Sequence, residues 1–223
     1  MRGARERDDV ADVGHAGDEQ QQALETEPES GVRGGTVFAG LQVPPDVGYI
    51  NDKPFFSIAG VGFDAKVAYD FDLDPKRGFA TYFKHILKNY FHYDPCDYHI
   101  EYDGNLLHTQ AFFITFANSS QWGYNVRIAP MASLHDGKVN VCIVKRPDMF
   151  LKLLNVDLPK LLTNNIEKSD IVQYIECQNL RLLSEDKTPI YLHIDGDTAG
   201  TVEEVSLTIQ REAMKAVVPL GLK

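Results

Sequence analysis

The stretch Arg127-Ile128-Ala129-Pro130-Met131-Ala132-Ser133-Leu134-His135-Asp136-Gly137-Lys138-Val139-Asn140-Val141-Cys142-Ile143-Val144-Lys145 decides how the rest of the chain is read. It opens on an Ala-Pro break and turns at His135-Asp136-Gly137. It then enters a run of alternating, β-branched residues from Val139 to Val144. Asp-Gly before such a run is a turn feeding a strand, because Gly reaches positive φ without penalty and Asp bonds its own backbone. A second Asp-Gly stands at the end of another strand-like run, His193-Ile194-Asp195-Gly196-Asp197.

Working outward, the core is expected to begin near 47–51, and strands are predicted at 55–63, 98–102, 110–117, 171–177, 180–184, 190–195, 205–210 and 216–219, punctuated by turns such as Asp103-Gly104-Asn105. The clearest helix begins at Phe79, where Tyr82, Phe83, Ile86, Leu87, Tyr90 and Phe91 recur at helical spacing. That stripe is predicted to pack into the core. Short helices are expected at 148–154 and from Leu158-Pro159. Many short strands with few helices indicate a mainly β fold, an antiparallel β-sandwich with a few helices packed on one edge.

Composition bounds the function. The 223 residues carry a net charge of −10, which argues against nucleic acid as a partner. Residues 1–35 hold nine acidic and four basic side chains, and residues 1–45 are nearly free of large apolar groups. Such a segment cannot bury enough surface to offset ordering, so a disordered acidic leader is expected at 1–45, followed by one domain at 46–223. No apolar run is long enough for a transmembrane segment, and the first residues lack the apolar core of a signal peptide, so a cytoplasmic location is expected. Three cysteines, Cys96, Cys142 and Cys177, read as reduced and buried rather than as a disulfide framework.

The chemistry-bearing residues are few. No zinc spacing, Gly-x-Ser-x-Gly elbow or P-loop is present. Tyr191, His193 and Asp195 share one face of their strand, and His193 reads as a packed, hydrogen-bonded strand residue. Asp197, just past the turn, offers an exposed carboxylate that can take a proton from an attacking hydroxyl. Asp136 in its tight turn can bind a cation with help from backbone carbonyls. Lys76-Arg77-Gly78 places two cations before the aromatic helix, where free N–H groups already favour a phosphate.

Taken in order, Gly62-Phe63-Asp64-Ala65-Lys66-Val67, Arg77-Gly78 before an aromatic helix, Asn118 with Gly123, Ile128-Ala129-Pro130, Leu134-His135-Asp136-Gly137 and Ile194-Asp195-Gly196-Asp197 resemble one family. It is the C-terminal domain of the diacylglycerol-kinase-like lipid kinases, which include the bacterial YegS and DgkB types and, more distantly, sphingosine and ceramide kinases. The resemblance covers Val47 to the end.

It implies a two-domain kinase with its active site in the cleft. An N-terminal α/β domain with a Gly-Gly-Asp-Gly loop holds the phosphates of ATP, and the β-sandwich supplies the lipid-facing wall. Asp197 falls where the family has its general base, usually Glu. Asp136 matches the residue that binds a structural Mg²⁺, with the backbone carbonyls of Ser133 and Lys138 assisting. Asp64, Arg77 and Asp195 match positions that approach substrate or phosphate.

The implied partner is a lipid substrate at the inner face of the membrane. Nothing in the chain matches the nucleotide-binding domain, so the expectation is the substrate half of a lipid kinase, truncated or encoded separately behind an unrelated leader. It would then act with a nucleotide-binding domain in trans. The competing expectation is a non-catalytic lipid- or protein-binding module, or an inactive fragment. A β-sandwich carbohydrate or calcium module fits the Asp-Gly turns but not the ordered series.

Overall fold

The computed structural model describes residues 41–123, 126–147 and 153–218. The strands are β1 (Leu41–Val43), β2 (Val47–Ile50), β3 (Lys53–Phe55), β4 (Ile58–Gly62), β5 (Cys96–Tyr102), β6 (Asn105–Ala111), β7 (Phe113–Ala117), β8 (Gln121–Gly123), β9 (Val126–Arg127), β10 (Val139–Val144), β11 (Val172–Cys177), β12 (Asn179–Ser184), β13 (Ile190–Ile194), β14 (Asp197–Val202), β15 (Glu204–Gln210) and β16 (Ala216–Val218). The α-helices are α1 (Phe63–Leu73), α2 (Phe79–Tyr90) and the short α3 (Leu158–Leu162). The expected helix at 148–154 falls largely outside the described residues, as does the expected leader up to residue 40.

The expected antiparallel sandwich is what forms. One six-stranded sheet runs β11-β10-β7-β4-β13-β14 and the other β3-β2-β15-β12-β5-β6. Their facing sides meet in a core that includes Val61, Ile114, Phe116 and Val141 from the first sheet and Ile50, Tyr98, Ile100 and Leu182 from the second. The second sheet is wet on its outer face, and β12 accordingly alternates between exposed and buried positions. In the first sheet β4, β7 and β10 are buried at every position. Its outer face is covered twice: by Phe63, Val67 and Tyr90 from the helices, and by Ile128, Ala129 and Ile166 from the loops.

Several expectations need correction. The run 55–63 is not one strand: β3 and β4 belong to different sheets, with the chain turning at Phe56-Ser57. The run 110–117 likewise splits at Phe112, whose N–H donates to Val144 O (2.8 Å) and whose carbonyl accepts Phe63 N–H (3.0 Å). Helix α1 was not anticipated. It starts at once from β4 because Gly62 adopts φ +100°, and a Cβ there would come within 2.7 Å of Phe112 O. Outside the two large sheets, β1 and β16 pair with each other in a two-stranded sheet of their own.

The aromatic stripe of α2 packs inward only in part: Tyr90 and Ile86 join the cover of the first sheet, and the rest of the stripe does not. The seam between α1 and α2 is polar: His85 Nε2 meets Asp74 Oδ2 at 3.0 Å, Asn89 donates to Asp70 (3.0 Å), and Lys66 pairs with Asp70. Burial pushes the Asp70 carboxyl up, but Lys66 and Asn89 outweigh it and hold it below the usual range. Helix α1 offers acids on that side, so α2 turns His85 and Asn89 towards it. Phe83, Leu87 and Phe91 are left 47%, 41% and 60% exposed. The cysteines are free, with Cys142 and Cys177 buried and Cys96 only half-buried. Burial, with Asp103 adding to it, pushes the Cys177 thiol up to about 12.

Asp46 ties the opening stretch into this frame. Its buried carboxylate accepts the N–H groups of Gly137 (2.7 Å) and Glu212 (2.9 Å), and its own N–H donates to Leu134 O (2.7 Å). Asp46→Ala should therefore lower unfolding free energy by about 2–4 kcal/mol, the cost of losing charge-assisted bonds and leaving buried N–H groups unpaired, as read from urea denaturation.

Candidate active site

A cavity of about 220 Å³ opens on the outer face of the first sheet, where the helices and the loops that cover it meet. Ser57, Asp64, Tyr82, Gln121, His193 and Asp195 supply its polar lining, and Ile58 and Ala68 its apolar part. Each element delivers its residue for a local reason. On β13, Leu192 points to the sandwich core, so its neighbour His193 points outward. Opposite His193 on β4 is Gly60. Asp64 lies in the first turn of α1, which follows β4 directly and brings the carboxylate back over Gly60.

The result is a buried pair. His193 Nε2 and Asp64 Oδ2 lie 3.1 Å apart, with side chains 4% and 6% exposed. Asp64 Oδ1 accepts the N–H of Ala65 (2.8 Å). A Cβ on Gly60 would come within 2.6 Å of His193 Nε2 and 2.7 Å of Asp64 Oδ2, so only glycine leaves room for the pair. His193 thus has the packed, hydrogen-bonded role read from its strand position. Burial, with the Asp64 charge adding to it, holds the Tyr82 phenol above its usual value, keeping it a neutral hydroxyl at physiological pH.

The two acids of Asp195-Gly196-Asp197 have opposite surroundings. Asp195 (φ +49°) and Gly196 (φ +91°) form the tight turn expected from Asp-Gly. The Asp195 carboxylate accepts three backbone N–H groups, from Phe56 (2.9 Å), Ser57 (2.8 Å) and Ile58 (3.1 Å). It lines the cavity while already serving as a structural acceptor. Asp197 opens β14 opposite Ile194. It is exposed and has no hydrogen-bond or ion-pair partner among the described residues.

The remaining expected residues lie elsewhere. Arg77 does not line the cavity: it stacks on Phe71 (5.2 Å) and contacts Asp72 (3.3 Å) on the α1–α2 connection. Asp136, Ser133 and Lys138 form a separate turn. There Asp136 Oδ1 accepts Lys138 N–H (3.0 Å), and Ser133 Oγ accepts the His135 N–H (3.3 Å). The Lys138 ammonium is drawn off to Glu176 (2.9 Å), so it does not compete for the carboxylate.

Asp136 Oδ2 has no hydrogen bond among the described residues, which leaves one carboxylate oxygen for a cation, the donor type that Mg²⁺ takes. No group of three or more His, Cys, Asp or Glu residues is arranged to hold a metal among the described residues. Sequence reading missed Gly60, Tyr82 and Gln121 as site residues. The signal for Gly60 was the outward register of β4 against β13, and Tyr82 on α2 and Gln121 on β8 carried none.

Residues 57–219 match the family model of the YegS C-terminal NAD kinase β-sandwich-like domain. The diacylglycerol kinase of Bacillus subtilis is 28% identical over 169 residues, which make up 74% of this chain and 54% of that protein. The chain spans about half the length of the curated relatives it matches. A crystal structure of a diacylglycerol kinase from Bacillus anthracis superposes with a TM-score of 0.58 at 17% identity, covering 81% of this chain and 57% of that one. At that identity the superposition speaks for the fold.

The contrast between the two turn acids is testable by urea denaturation. Asp195→Ala should cost about 2–3 kcal/mol and speed amide exchange at Ser57 and Ile58, because three N–H groups lose a charged acceptor. Asp197→Ala should stay within about 0.5 kcal/mol of the parent.

Proposed function

The chain belongs to the family of YegS-type C-terminal β-sandwich-like domains, and from that premise we propose that it is the acceptor-side half of an ATP-dependent lipid kinase. The reaction is transfer of the γ-phosphoryl group of ATP to the hydroxyl of a diacylglycerol-like lipid. The observation that carries this reading is the free Asp197 carboxylate, held by a rigid turn that also borders a polar cavity. As the lipid hydroxyl attacks phosphorus and ADP leaves, a carboxylate at that place takes the hydroxyl proton. Asp197 has one methylene fewer than the usual Glu, so the acceptor must approach the turn closely. Asp64 and Tyr82 would bind the acceptor head, and Asp195 would hold the turn that aims Asp197.

Phosphoryl transfer also requires groups that position and neutralise the phosphates. In this reading a nucleotide-binding domain supplies them across the cleft. Asp136, with the carbonyls of Ser133 and Lys138, would hold Mg²⁺, which would order its turn beside Asp46.

The outer surface supports a lipid-facing role. Phe83, Leu87 and Phe91 are exposed on α2. Residues 75–90 hold Lys76, Arg77, Lys84 and Lys88 and no acid, in a chain whose net charge is −10. An apolar, basic helix face suits peripheral contact with an anionic membrane surface. No described helix is long and apolar enough to cross a membrane.

Radiolabelled ATP incubated with a mixed lipid extract tests the reading. Label is expected in lipid only when a nucleotide-binding domain from a related kinase accompanies the chain. No transfer in either case, from a chain that melts cooperatively, would favour the non-catalytic binding module. In the reconstituted enzyme Asp197→Asn should reduce turnover at least ~100-fold with an unchanged melting temperature, the loss typical of a missing general base. Asp136→Ala should lower the melting temperature more in Mg²⁺ than in EDTA; an equal drop in both removes the metal site.

A further inference from the structure

The buried pair at the cavity floor carries more than a place in the lining. His193 presents Nε2 to Asp64 at 3.1 Å, while its other nitrogen, Nδ1, is buried without a hydrogen-bond partner among the described residues. A carboxylate accepts, so Nε2 carries the proton it donates. A bare Nδ1 lone pair is then the state that leaves no N–H orphaned in the interior. Asp64 thus has one oxygen fixed by His193 and the other by its own helix. Its position over Gly60 is determined from both sides.

The charge around it is one-sided. Asp64 and Asp195 both line the cavity, and among the described residues no lysine or arginine does. The remaining polar groups, Ser57, Tyr82 and Gln121, are neutral. An anionic head group entering this cavity meets two carboxylates and no counter-charge, whereas an uncharged hydroxyl finds acceptors and donors.

We propose that His193 is a positioning residue that sets acceptor specificity: by fixing the Asp64 carboxylate over Gly60 it makes the cavity select a neutral, hydroxyl-bearing lipid head and reject an anionic one. This rests on the reading of the cavity as the acceptor site.

Two measurements on the full chain test it. Long-range ¹⁵N NMR of the imidazole should show His193 protonated at Nε2 and bare at Nδ1; a proton on Nδ1 with Nε2 bare overturns the proposal. The second is titration with monomeric dihexanoylglycerol and with dihexanoylphosphatidylglycerol, followed at the amides of Gly60, Ala65 and Gly196.

The neutral lipid should bind at least ~10-fold more tightly than the anionic one, a difference of about 1.4 kcal/mol. His193→Leu should lose most of that selectivity. His193→Gln, which still offers an N–H to Asp64, should keep it within roughly twofold, a difference below about 0.5 kcal/mol. A folded His193→Leu chain with parental selectivity shows that His193 only packs, and overturns the proposal. If the parent binds neither lipid at these amides, the acceptor-site reading itself falls and takes this inference with it. Binding with unchanged selectivity sinks the inference alone.

Discussion

Three backbone N–H groups converge on one carboxylate, that of Asp195, and the site depends on it. Phe56, Ser57 and Ile58 lie where the chain leaves the second sheet and enters the first. No strand partner is available there for their N–H groups. Asp195 satisfies them from the end of β13, and its own N–H donates to Ile58 O (2.8 Å). The start of β4 is thereby locked to the end of β13. Two residues further in, that register sets Gly60 opposite His193, and α1 then returns Asp64 to the pair. A slip of one residue would turn His193 into the sandwich core and destroy the cavity floor.

The second constraint is burial on both faces of the first sheet. A sheet covered twice has long apolar runs, and any polar group on its outer face needs a partner beneath the cover. The Asp64–His193 pair satisfies that need for two ionisable groups. The same cover, made of helices on one side and loops on the other, has a seam, and the cavity is that seam. Its polar lining is thus a product of the fold's layering. Tyr82 reaches it because the polar α1–α2 seam rotates α2, which also sends Phe83 and Leu87 outward.

Much of this was legible in the sequence. Asp-Gly dipeptides at 103–104 and 195–196 marked hairpin turns, and the structure gives both positive φ at both residues. Alternation marked β12 and β15. The two long apolar runs were misread as single strands because crossing from sheet to sheet need not break the hydrophobicity: Phe112 is buried at its crossing, and at the other the exposed Phe56 is as apolar as its buried neighbour Phe55. Phe112 and Phe56 are as apolar as the residues beside them, and the single Ser57 is too small a break to mark a crossing. Helix α1 was hidden by Asp70, Asp72 and Asp74: Asp70 and Asp74 find partners in Asn89 and His85 on α2, and Asp72 in Arg77 on the connection, none of which sequence spacing shows. The stripe on α2 was plain, but its direction was not. A 3.6-residue period reports that one face is apolar and is silent on whether protein or something else covers it. The order of motifs pointed to the family, while Gly60 and Tyr82 carry no motif at all.

In the proposed reading, the Asp-Gly-Asp turn divides structural and chemical work within one short segment. A general base must present a carboxylate that is unengaged, yet aimed within hydrogen-bond reach of a substrate. An unengaged side chain on a mobile loop meets only the first condition. Here the preceding carboxylate, Asp195, is fully engaged by three N–H groups, and that engagement immobilises the backbone from which Asp197 projects. Asp197 is then free at its side chain and fixed at its Cα by pairing with Ile194. The shorter side chain fits the proposed role, since fewer rotatable bonds would leave less freedom to lose on binding an acceptor. A Glu at this position would reach further but depend on the substrate to order it.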